Sequence, residues 1–221
     1  FTGDGHLRIY YGARLVGDLA TDFLHNGLPR KLLQAEWQQS SKPTEKAPRP
    51  TPAQTAAEKL LALLQHPDIR SKEAIIRRYD HEVQGGTAVK PLTGVANHGP
   101  AVAAVLVPQH AQKRDGKAVA LANGICPNLT AYDPYRMAWA AVDEAFRNIT
   151  AVGADPDQVA LLDNFCWGNP NLPDRLGELV RCAQGCYEAA VAFNAPFVSG
   201  KDSLNNEYTG ADGQKPYQAR S

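Results

Sequence analysis

The chain has 221 residues, and 23 Lys and Arg side chains balance 23 Asp and Glu side chains, so the formal net charge at pH 7 is zero. A neutral chain has no overall field that attracts nucleic acid or an anionic membrane, and any phosphate site must be local. Apolar runs fall short of the roughly 20 residues of a membrane span, and we see no signal peptide.

Residues 1–35 carry short strand patterns. The stretch LRIYYGARLVGDL predicts a hairpin that turns at Gly12, and DFLHNGLPRKLL predicts a short helix with an extended exit. Two strands alone are marginally stable in water, so this region is expected to complete a domain that begins before Phe1. We therefore interpret the chain as an internal piece of a longer protein.

A linker is predicted next. Residues 38–50, QQSSKPTEKAPRP, are polar and proline-rich and have no apolar periodicity. We predict that they are mobile and that a protease cuts first near Lys42, Lys46 or Arg49, while 85–206 forms the protected core.

Two helices are predicted to follow the linker. Thr51 is a suitable N-cap and Pro52 a suitable first residue of the first helix, which should end before Pro67. The second helix is expected to begin near Ser71.

From Gly85 the pattern alternates between strands and helices. The runs TAVKPL, AVAAVLV and KAVALA predict strands, and they precede a helix that Asp133 caps and Gly153 ends. The strand QVALLDNF, the helix PDRLGELVRCAQGCYEAAVAFN and the strand PFVS complete the order β-β-β-α-β-α-β. This order predicts an α+β or α/β fold in which a two-layer mixed sheet packs on helices.

Oxygen-bearing side chains lie one turn apart on the first of these helices. Glu144 and Asn148 are four residues apart, so they share a face. A carboxylate and an amide oxygen in this arrangement suit Mg²⁺, which takes oxygen ligands. An ordinary solvated helix face is the alternative, and spacing alone favours it.

Two further polar clusters are expected at strand ends. Asp163 and Asn164 end one predicted strand, and Gly200, Lys201 and Ser203 follow the last one. Ligands of open α/β sheets bind at such ends, where glycine lets the backbone approach a phosphate and lysine supplies a charge. The spacing is not that of a P-loop. The alternative for the first cluster is a helix-entry turn with a capping side chain.

The four cysteines do not suggest a zinc site. None belongs to a Cys-x-x-Cys pair, although Cys182 and Cys186 share a helix face at a spacing of four. We expect buried free thiols in the reducing cytoplasm.

Several long motifs resemble one family. The stretches FLHNGLPR, YDHEVQGGT, VDEAFRNITAVGADPDQVALLDNFCWGNPN and FVSGKDSLNNEY are similar to the phosphoribosylformylglycinamidine synthase family, of the aminoimidazole ribonucleotide synthetase superfamily. The resemblance implies that 1–35 ends a preceding C-type domain and that 36–84 is the connection. It also implies that 85–206 is the second N-type synthetase domain and that 207–221 begins the second C-type domain.

The resemblance implies an ATP-dependent ligase of purine biosynthesis. Members convert formylglycinamide ribonucleotide, glutamine-derived ammonia and ATP to formylglycinamidine ribonucleotide, with Mg²⁺. By resemblance, Asp163 and Gly200 contact ATP, Ser203 contacts the substrate, and Glu144 and Asn148 bind Mg²⁺ at a second, often auxiliary, nucleotide site. The expected partners are the rest of the synthetase chain and a glutaminase domain or subunit. The expected location is the cytoplasm.

Some positions depart from the family. Lys201 stands where small single-subunit relatives have an asparagine, so we assign it as a phosphate contact and not as a metal ligand. Val102 stands where relatives usually have a metal-binding aspartate. The family's catalytic histidine and main substrate-binding residues belong to an upstream domain, so no catalytic residue is assigned here and the chain is expected to be inactive alone.

Two alternatives stay open. The chain can be a non-catalytic structural module that holds a nucleotide, or it can belong to another member of the superfamily, such as selenophosphate synthetase or thiamine-phosphate kinase. The motifs GKDSLNNEY and DNFCWGNP argue against the second alternative.

Overall fold

The computed structural model describes residues 2–39, 55–78, 81–109, 116–208 and 217–218. Most of the linker predicted at 38–50, with its three expected cleavage sites, lies outside the described residues, as do Thr51 and Pro52. The chain divides into two units, Phe1–Gln34 and Ala35–Ser221.

The first unit is the predicted hairpin and short helix. Strands β1 (His6–Tyr11) and β2 (Arg14–Ala20) pair antiparallel, and helix α1 (Thr21–Asn26) follows directly. Gly12 has a φ of +59°, a left-handed conformation that glycine adopts without strain, so the hairpin turn at this residue is confirmed. The large apolar side chains of the hairpin stay about half exposed, as expected for two strands that bury little by themselves.

Helix α2 (Ala56–Gln65) begins later than predicted. Its N-cap is Thr55, whose hydroxyl accepts a hydrogen bond from the Glu58 amide at 3.3 Å, while the Thr55 amide donates to the Glu58 carboxylate at 2.7 Å. This reciprocal capping box satisfies two amide donors at once, which explains why the helix starts here. The helix ends before Pro67 as predicted, and α3 (Glu73–Ile76) is short.

Short strands and two long helices make up the rest of the second unit. In chain order the strands are β3 Thr87–Val89, β4 Leu92–Thr93, β5 Gly99–Pro100, β6 Ala103–Leu106, β7 Val119–Ala122, β8 Leu161–Cys166, β9 Phe197–Ser203, β10 Glu207–Tyr208 and β11 Tyr217–Gln218. Strands β3, β6 and β7 form an antiparallel sheet in the order β3-β6-β7, whereas β8 and β9 pair in parallel. The pairs β4–β5 and β10–β11 are antiparallel.

Helices α4 (Pro134–Ala151) and α5 (Pro173–Ala192) pack on each other and cover one side of the strands. As predicted, Asp133 caps α4, because its carboxylate accepts a hydrogen bond from the Tyr135 amide at 3.0 Å. The alternation α4, β8, α5, β9 is as predicted and the α+β class is confirmed, but within the described ranges five short strands rather than three precede α4, and two more follow β9. The antiparallel and parallel strands, however, are separate hydrogen-bonded sheets.

The core of the second unit consists of two apolar clusters. The first cluster joins α4, β8 and the end of α5, and its buried members are Val142, Phe146, Leu161, Ala189 and Ala195. The second joins the first half of α4 to α5 and the segment after β8, and its buried members are Met137, Ala138, Trp167 and Cys182. The two clusters hold β8 against the helices at both of its ends.

The segment after the first unit is fixed to α5. The Glu36 amide donates to the Pro173 carbonyl at 2.9 Å, and the Arg181 guanidinium lies 4.0 Å from the centre of the Trp37 ring. Arg181 also binds both carboxylate oxygens of Asp133, at 2.7 and 2.8 Å. Residues 35–37 are thus part of the folded second unit.

Candidate functional site

The polar residues predicted at two strand ends lie inside strands. Strand β8 continues through Cys166 and β9 through Ser203, so Asp163 and Asn164 are in mid-strand and Gly200 and Lys201 are not in a loop. The prediction of a strand-end position was wrong for these residues, because the parallel ladder continues from Asp163–Gly200 to Cys166–Ser203. The sequence did not predict that the strands continue, because the polar residues in them are typical of loops.

The candidate ligand residues divide between the two faces of the β8–β9 pair. Leu161 and Phe165 pack into the core clusters, and Asp163 between them therefore faces the helices as well. Gly200 pairs with Asp163 and shares that face. Lys201 and Ser203 point to the opposite face, where side chains alternate outward.

On the helix-facing side, the Asp163 carboxylate lies directly over Gly200. A Cβ atom added to Gly200 would stand 1.8 Å from Asp163 Oδ1 and 2.6 Å from its Cγ, so another side chain there requires the carboxylate to move. The sequence predicted that Gly200 lets the backbone approach a phosphate, and the group that lies against Gly200 in the structure is the Asp163 carboxylate. The two predicted ATP contacts are therefore adjacent.

On the opposite face, Lys201 and Ser203 are in contact, because the Lys201 ammonium donates a hydrogen bond to the Ser203 hydroxyl. Asn206 also belongs to this cluster. Its side-chain nitrogen Nδ2 donates to the Ser203 carbonyl at 2.5 Å and lies 3.2 Å from Cys166 Sγ. The sequence predicted no role for Asn206, which belongs to the motif FVSGKDSLNNEY.

Two contacts fix the segment after β9. The backbone amide of Asn206 donates to the Trp167 carbonyl at 2.8 Å, and Arg175 Nε donates to the Glu207 carboxylate at 2.9 Å. Trp167 is fully buried, and its indole nitrogen donates to the Arg175 carbonyl at 3.0 Å. The Glu207 hydrogen bond is the main cause that raises the pKa of Arg175. These hydrogen bonds connect the segment that follows Lys201 and Ser203 to Trp167 and Arg175.

Glu144 and Asn148 share a helix face, as predicted, and both bind the loop after β7. The Glu144 carboxylate accepts a hydrogen bond from the Ile125 amide at 2.9 Å, and the Asn148 side chain donates to the Asn123 carbonyl at 3.0 Å. Burial, together with the neighbouring Glu144 carboxylate, raises the pKa of the Cys126 thiol. Both side chains therefore position a loop in this structure.

The same loop connects the two parts of the candidate site. A cavity of about 420 Å³ is lined by loop residues 123–126 on one side and by Asp163 and Asn164 on the other. Val102, the position of the usual aspartate, is 53% exposed just before β6. Among the described residues, no three His, Cys, Asp or Glu side chains come together as a metal cluster.

None of the helices in the described part of the chain is long and apolar enough to cross a membrane.

An antiparallel sheet and a polar parallel strand pair, both backed by two helices, define an α+β domain with a candidate ligand site on its strands. Residues 101–214 match the family described as AIR synthase related protein, N-terminal domain, and the chain belongs to this family. The predicted resemblance is therefore confirmed.

Individual relatives agree with the family. The chain is 41% identical over 162 residues to phosphoribosylformylglycinamidine synthase subunit PurL of Rhodopseudomonas palustris (strain HaA2), a match that covers 73% of this chain and 20% of the relative. Among solved structures, PurL of Thermotoga maritima complexed with ADP has a TM-score of 0.61 at 25% identity, over 96% of this chain and 30% of that one. The T. maritima PurLQS structure has a TM-score of 0.63 at 24% identity and the same two coverages. The chain thus spans less than a third of these relatives.

Proposed function

We propose that this chain supplies the second N-type domain, with its flanking parts, to the synthetase of a phosphoribosylformylglycinamidine synthase. This enzyme is an ATP-dependent ligase that converts formylglycinamide ribonucleotide and glutamine-derived ammonia to formylglycinamidine ribonucleotide. The family match and the names of the relatives support the proposal. In the proposed division, 1–35 ends a preceding C-type domain, 36–84 connects, 85–206 is the N-type domain and 207–221 begins the next C-type domain.

The contact between Asp163 and Gly200 is the observation that carries the proposed nucleotide site. The pair places a carboxylate on the helix-facing side of the strands beside a cavity of about 420 Å³. In the proposal, Asp163 and Gly200 contact ATP, while on the opposite face Ser203 contacts the substrate and Lys201 a phosphate group. Other T. maritima PurL structures were obtained with ATP and with FGAR, which supports both ligand classes.

Mg²⁺ fits the chain only in part. Glu144 and Asn148 offer one carboxylate and one amide oxygen, whereas Mg²⁺ takes six oxygen ligands in near-octahedral geometry. We propose that these two residues supply part of the coordination and that nucleotide phosphates and water supply the rest. Both side chains already hold loop residues 123–126. Metal binding must therefore compete with these contacts or share the side chains with them.

The proposed partners are the rest of the synthetase chain and a glutaminase domain or subunit that delivers ammonia. The T. maritima assembly named PurLQS supports further subunits. We assign the protein to the cytoplasm, where its four free thiols stay reduced.

A nucleotide-binding experiment on the 221-residue chain tests the site. We expect a photoreactive ATP analogue to label β8 and β9, excess ATP to suppress the labelling, and Asp163→Asn to reduce it severalfold. Asp157→Asn is the matched control, since Asp157 is an exposed carboxylate in the turn before β8 and does not line the cavity. Equal labelling of the Asp163 and Asp157 variants would contradict the assignment.

An activity assay tests the expected dependence on the rest of the synthetase. We expect no formylglycinamidine ribonucleotide from ATP, substrate and ammonia with this chain alone, because the catalytic histidine of the family is assigned to another domain. Product formation by the pure chain would refute this part of the proposal.

The contacts of Glu144 and Asn148 favour one second candidate, a structural module that retains a nucleotide without turning it over. A nucleotide that stays bound through gel filtration and is recovered unhydrolysed would support this role. Exchange within seconds would argue for the ligase role.

A further inference from the structure

A pair of thiols on α5 lies outside the residues assigned to ligand binding. Cys182 and Cys186 are one helical turn apart, where side chains on the same face meet. Cys182 is 2% exposed within the second core cluster, whereas Cys186 packs at the edge of that cluster and is partly exposed. Cys186 is therefore the thiol of the pair that a reagent can reach.

Cys186 borders two openings. It lines the cavity of about 420 Å³ that also contains Asp163, and it lines a groove of about 700 Å³ between α5 and the start of β9. The lining of the groove is almost entirely apolar and includes Phe165, Tyr187 and Phe197. A reagent that enters this groove exchanges water for aromatic and aliphatic side chains, so an uncharged aromatic molecule is favoured.

Cys182 activates its neighbour. The thiol of Cys182 serves as a hydrogen-bond donor to Cys186, which lowers the pKa of Cys186, although burial and the Asp163 carboxylate act in the opposite direction. The same interaction raises the pKa of Cys182, so Cys186 is the thiol of the pair that loses its proton more readily. The thiolate is the nucleophilic form of cysteine.

We propose that Cys186 is a site of covalent modification by small uncharged disulfides, which enter through the apolar groove. The Cys186 sulfur, after losing its proton to water, attacks one sulfur of the disulfide R–S–S–R. A bond forms between Cys186 and that sulfur, the S–S bond of the reagent breaks, and the thiolate RS⁻ leaves and is protonated by water.

The mixed disulfide persists because Cys182 cannot displace the bound group and form a disulfide with Cys186 without strain. Side chains one turn apart have Cβ atoms about 5–6 Å apart, whereas a disulfide needs Cβ atoms about 3.5–4.5 Å apart. A Cys182–Cys186 disulfide would therefore require distortion of α5. The product is a single adduct on Cys186.

The other cysteines give internal controls. Cys126 is less nucleophilic because burial and Glu144 raise its pKa. Cys166 lies on the face of β8 opposite to Asp163, 3.2 Å from the side-chain nitrogen of Asn206, and lines neither the cavity nor the groove. A reagent that distinguishes thiols by access and nucleophilicity is expected to modify Cys186 first.

The test uses the native 221-residue chain with 4,4′-dithiodipyridine, which is uncharged, and with 5,5′-dithiobis(2-nitrobenzoate), which is a dianion. Released chromophore gives the rates, and peptide mass mapping gives the site. We expect the first adduct on Cys186 and a preference for the uncharged reagent of about tenfold, after each rate is divided by that with free cysteine, because the groove is apolar and Asp163 repels anions.

Variants separate the causes. Cys186→Ser is expected to remove the fast phase, Cys182→Ala to slow it severalfold, and Cys166→Ser to leave it unchanged. Mapping on the unmodified chain decides the site even if a variant does not fold. A first adduct on Cys126 or Cys166, or equal normalised rates for the two reagents, overturns the proposal, and a Cys182–Cys186 disulfide in place of the adduct overturns its persistence.

Discussion

Replacing Gly200 by alanine tests the geometry of the candidate site without any assumption about its ligand. The new Cβ would stand 1.8 Å from Asp163 Oδ1, and the carboxylate must move by about 1.2 Å before the separation reaches 3.0 Å. Asp163 lines the cavity of about 420 Å³, so its carboxylate can swing into open space, at a smaller steric cost than a clash with backbone would bring. The substitution therefore perturbs Asp163 before anything else.

Two effects of opposite sign determine the size of the change. Displacing the end of the Asp163 side chain beside a cavity costs about 1 kcal/mol, the low end of the cost of overpacking. Alanine is favoured over glycine in a strand by about 0.5–1 kcal/mol, because glycine loses more backbone entropy on folding. The two effects nearly cancel, and we expect Gly200→Ala to change the free energy of unfolding by less than about 0.5 kcal/mol. With Asp163→Ala already present, the clash is gone and Gly200→Ala should raise that free energy by about 0.5–1 kcal/mol.

A double-mutant cycle measured by urea unfolding isolates the interaction. All three tryptophans lie in the second unit, so their fluorescence reports on the unfolding of that unit. The expected coupling between Gly200 and Asp163 is about 1 kcal/mol, the cost of displacing the carboxylate. A control cycle of Gly200→Ala with Leu162→Ala, on the opposite face, should give a coupling within about 0.5 kcal/mol. Equal coupling in both cycles would refute the placement of the carboxylate over the glycine.

Three other predictions concern different parts of the second unit. Gly177→Ala should lower the free energy of unfolding by about 1 kcal/mol, because the new Cβ would stand 2.0 Å from the Glu36 carbonyl oxygen. The same change at an open helix position raises this free energy, so stabilisation in urea unfolding would contradict the close contact. The hydrogen bonds from Arg181 lower the pKa of Asp133, so the folded state binds fewer protons than the unfolded state. This contribution to the free energy of unfolding is complete above about pH 4 and is lost as the pH falls through the lowered pKa. Asp133→Asn should lower the free energy of unfolding by about 2 kcal/mol at pH 7 and should weaken its fall at acidic pH. An unchanged fall at acidic pH would exclude the Asp133–Arg181 ion pair as its cause. We expect the chain to bind Mg²⁺–ADP weakly and Val102→Asp to strengthen this binding in calorimetry by adding a carboxylate oxygen; equal affinities would show that this position is not a ligand.

The sequence predicted the helices of the second unit well because local chemistry sets their ends. Asp133 followed by Pro134 marks the start of α4, and the described capping interaction confirms it. The start of α2 was missed because the sequence offers two capping-box patterns, Thr51 with Gln54 and Thr55 with Glu58. The one at Thr55 has a glutamate as its fourth residue, which accepts the Thr55 amide hydrogen bond in the structure. Spacing alone does not rank two such patterns.

The strands were harder to predict because their polar residues look like loop residues. The run from Ser199 to Ser203 has glycine, lysine and aspartate, all depleted in strands, yet it forms a parallel ladder with β8. A tertiary partner therefore overrides local propensity here. The division of Asp163 and Lys201 between two faces follows from alternation as soon as the strand is known to continue, and it was out of reach while the segment was assigned to a loop.

The placement of Asp163 and Lys201 on opposite faces restricts how a nucleotide can bind to the β8–β9 pair. A carboxylate attracts hydroxyl groups and cations and repels phosphate oxygens, and Asp163 covers the helix-facing side of Gly200. If Asp163 contacts ATP as proposed, the contact suits a hydroxyl group of the ribose or a phosphate carried by a cation, and not a bare phosphate. Lys201 and Ser203, on the other face, provide a cation and a hydroxyl donor in contact with each other. Under the proposed function, the chain therefore has its anion-binding group and its carboxylate on opposite faces of one strand pair, so a single phosphate group cannot use both.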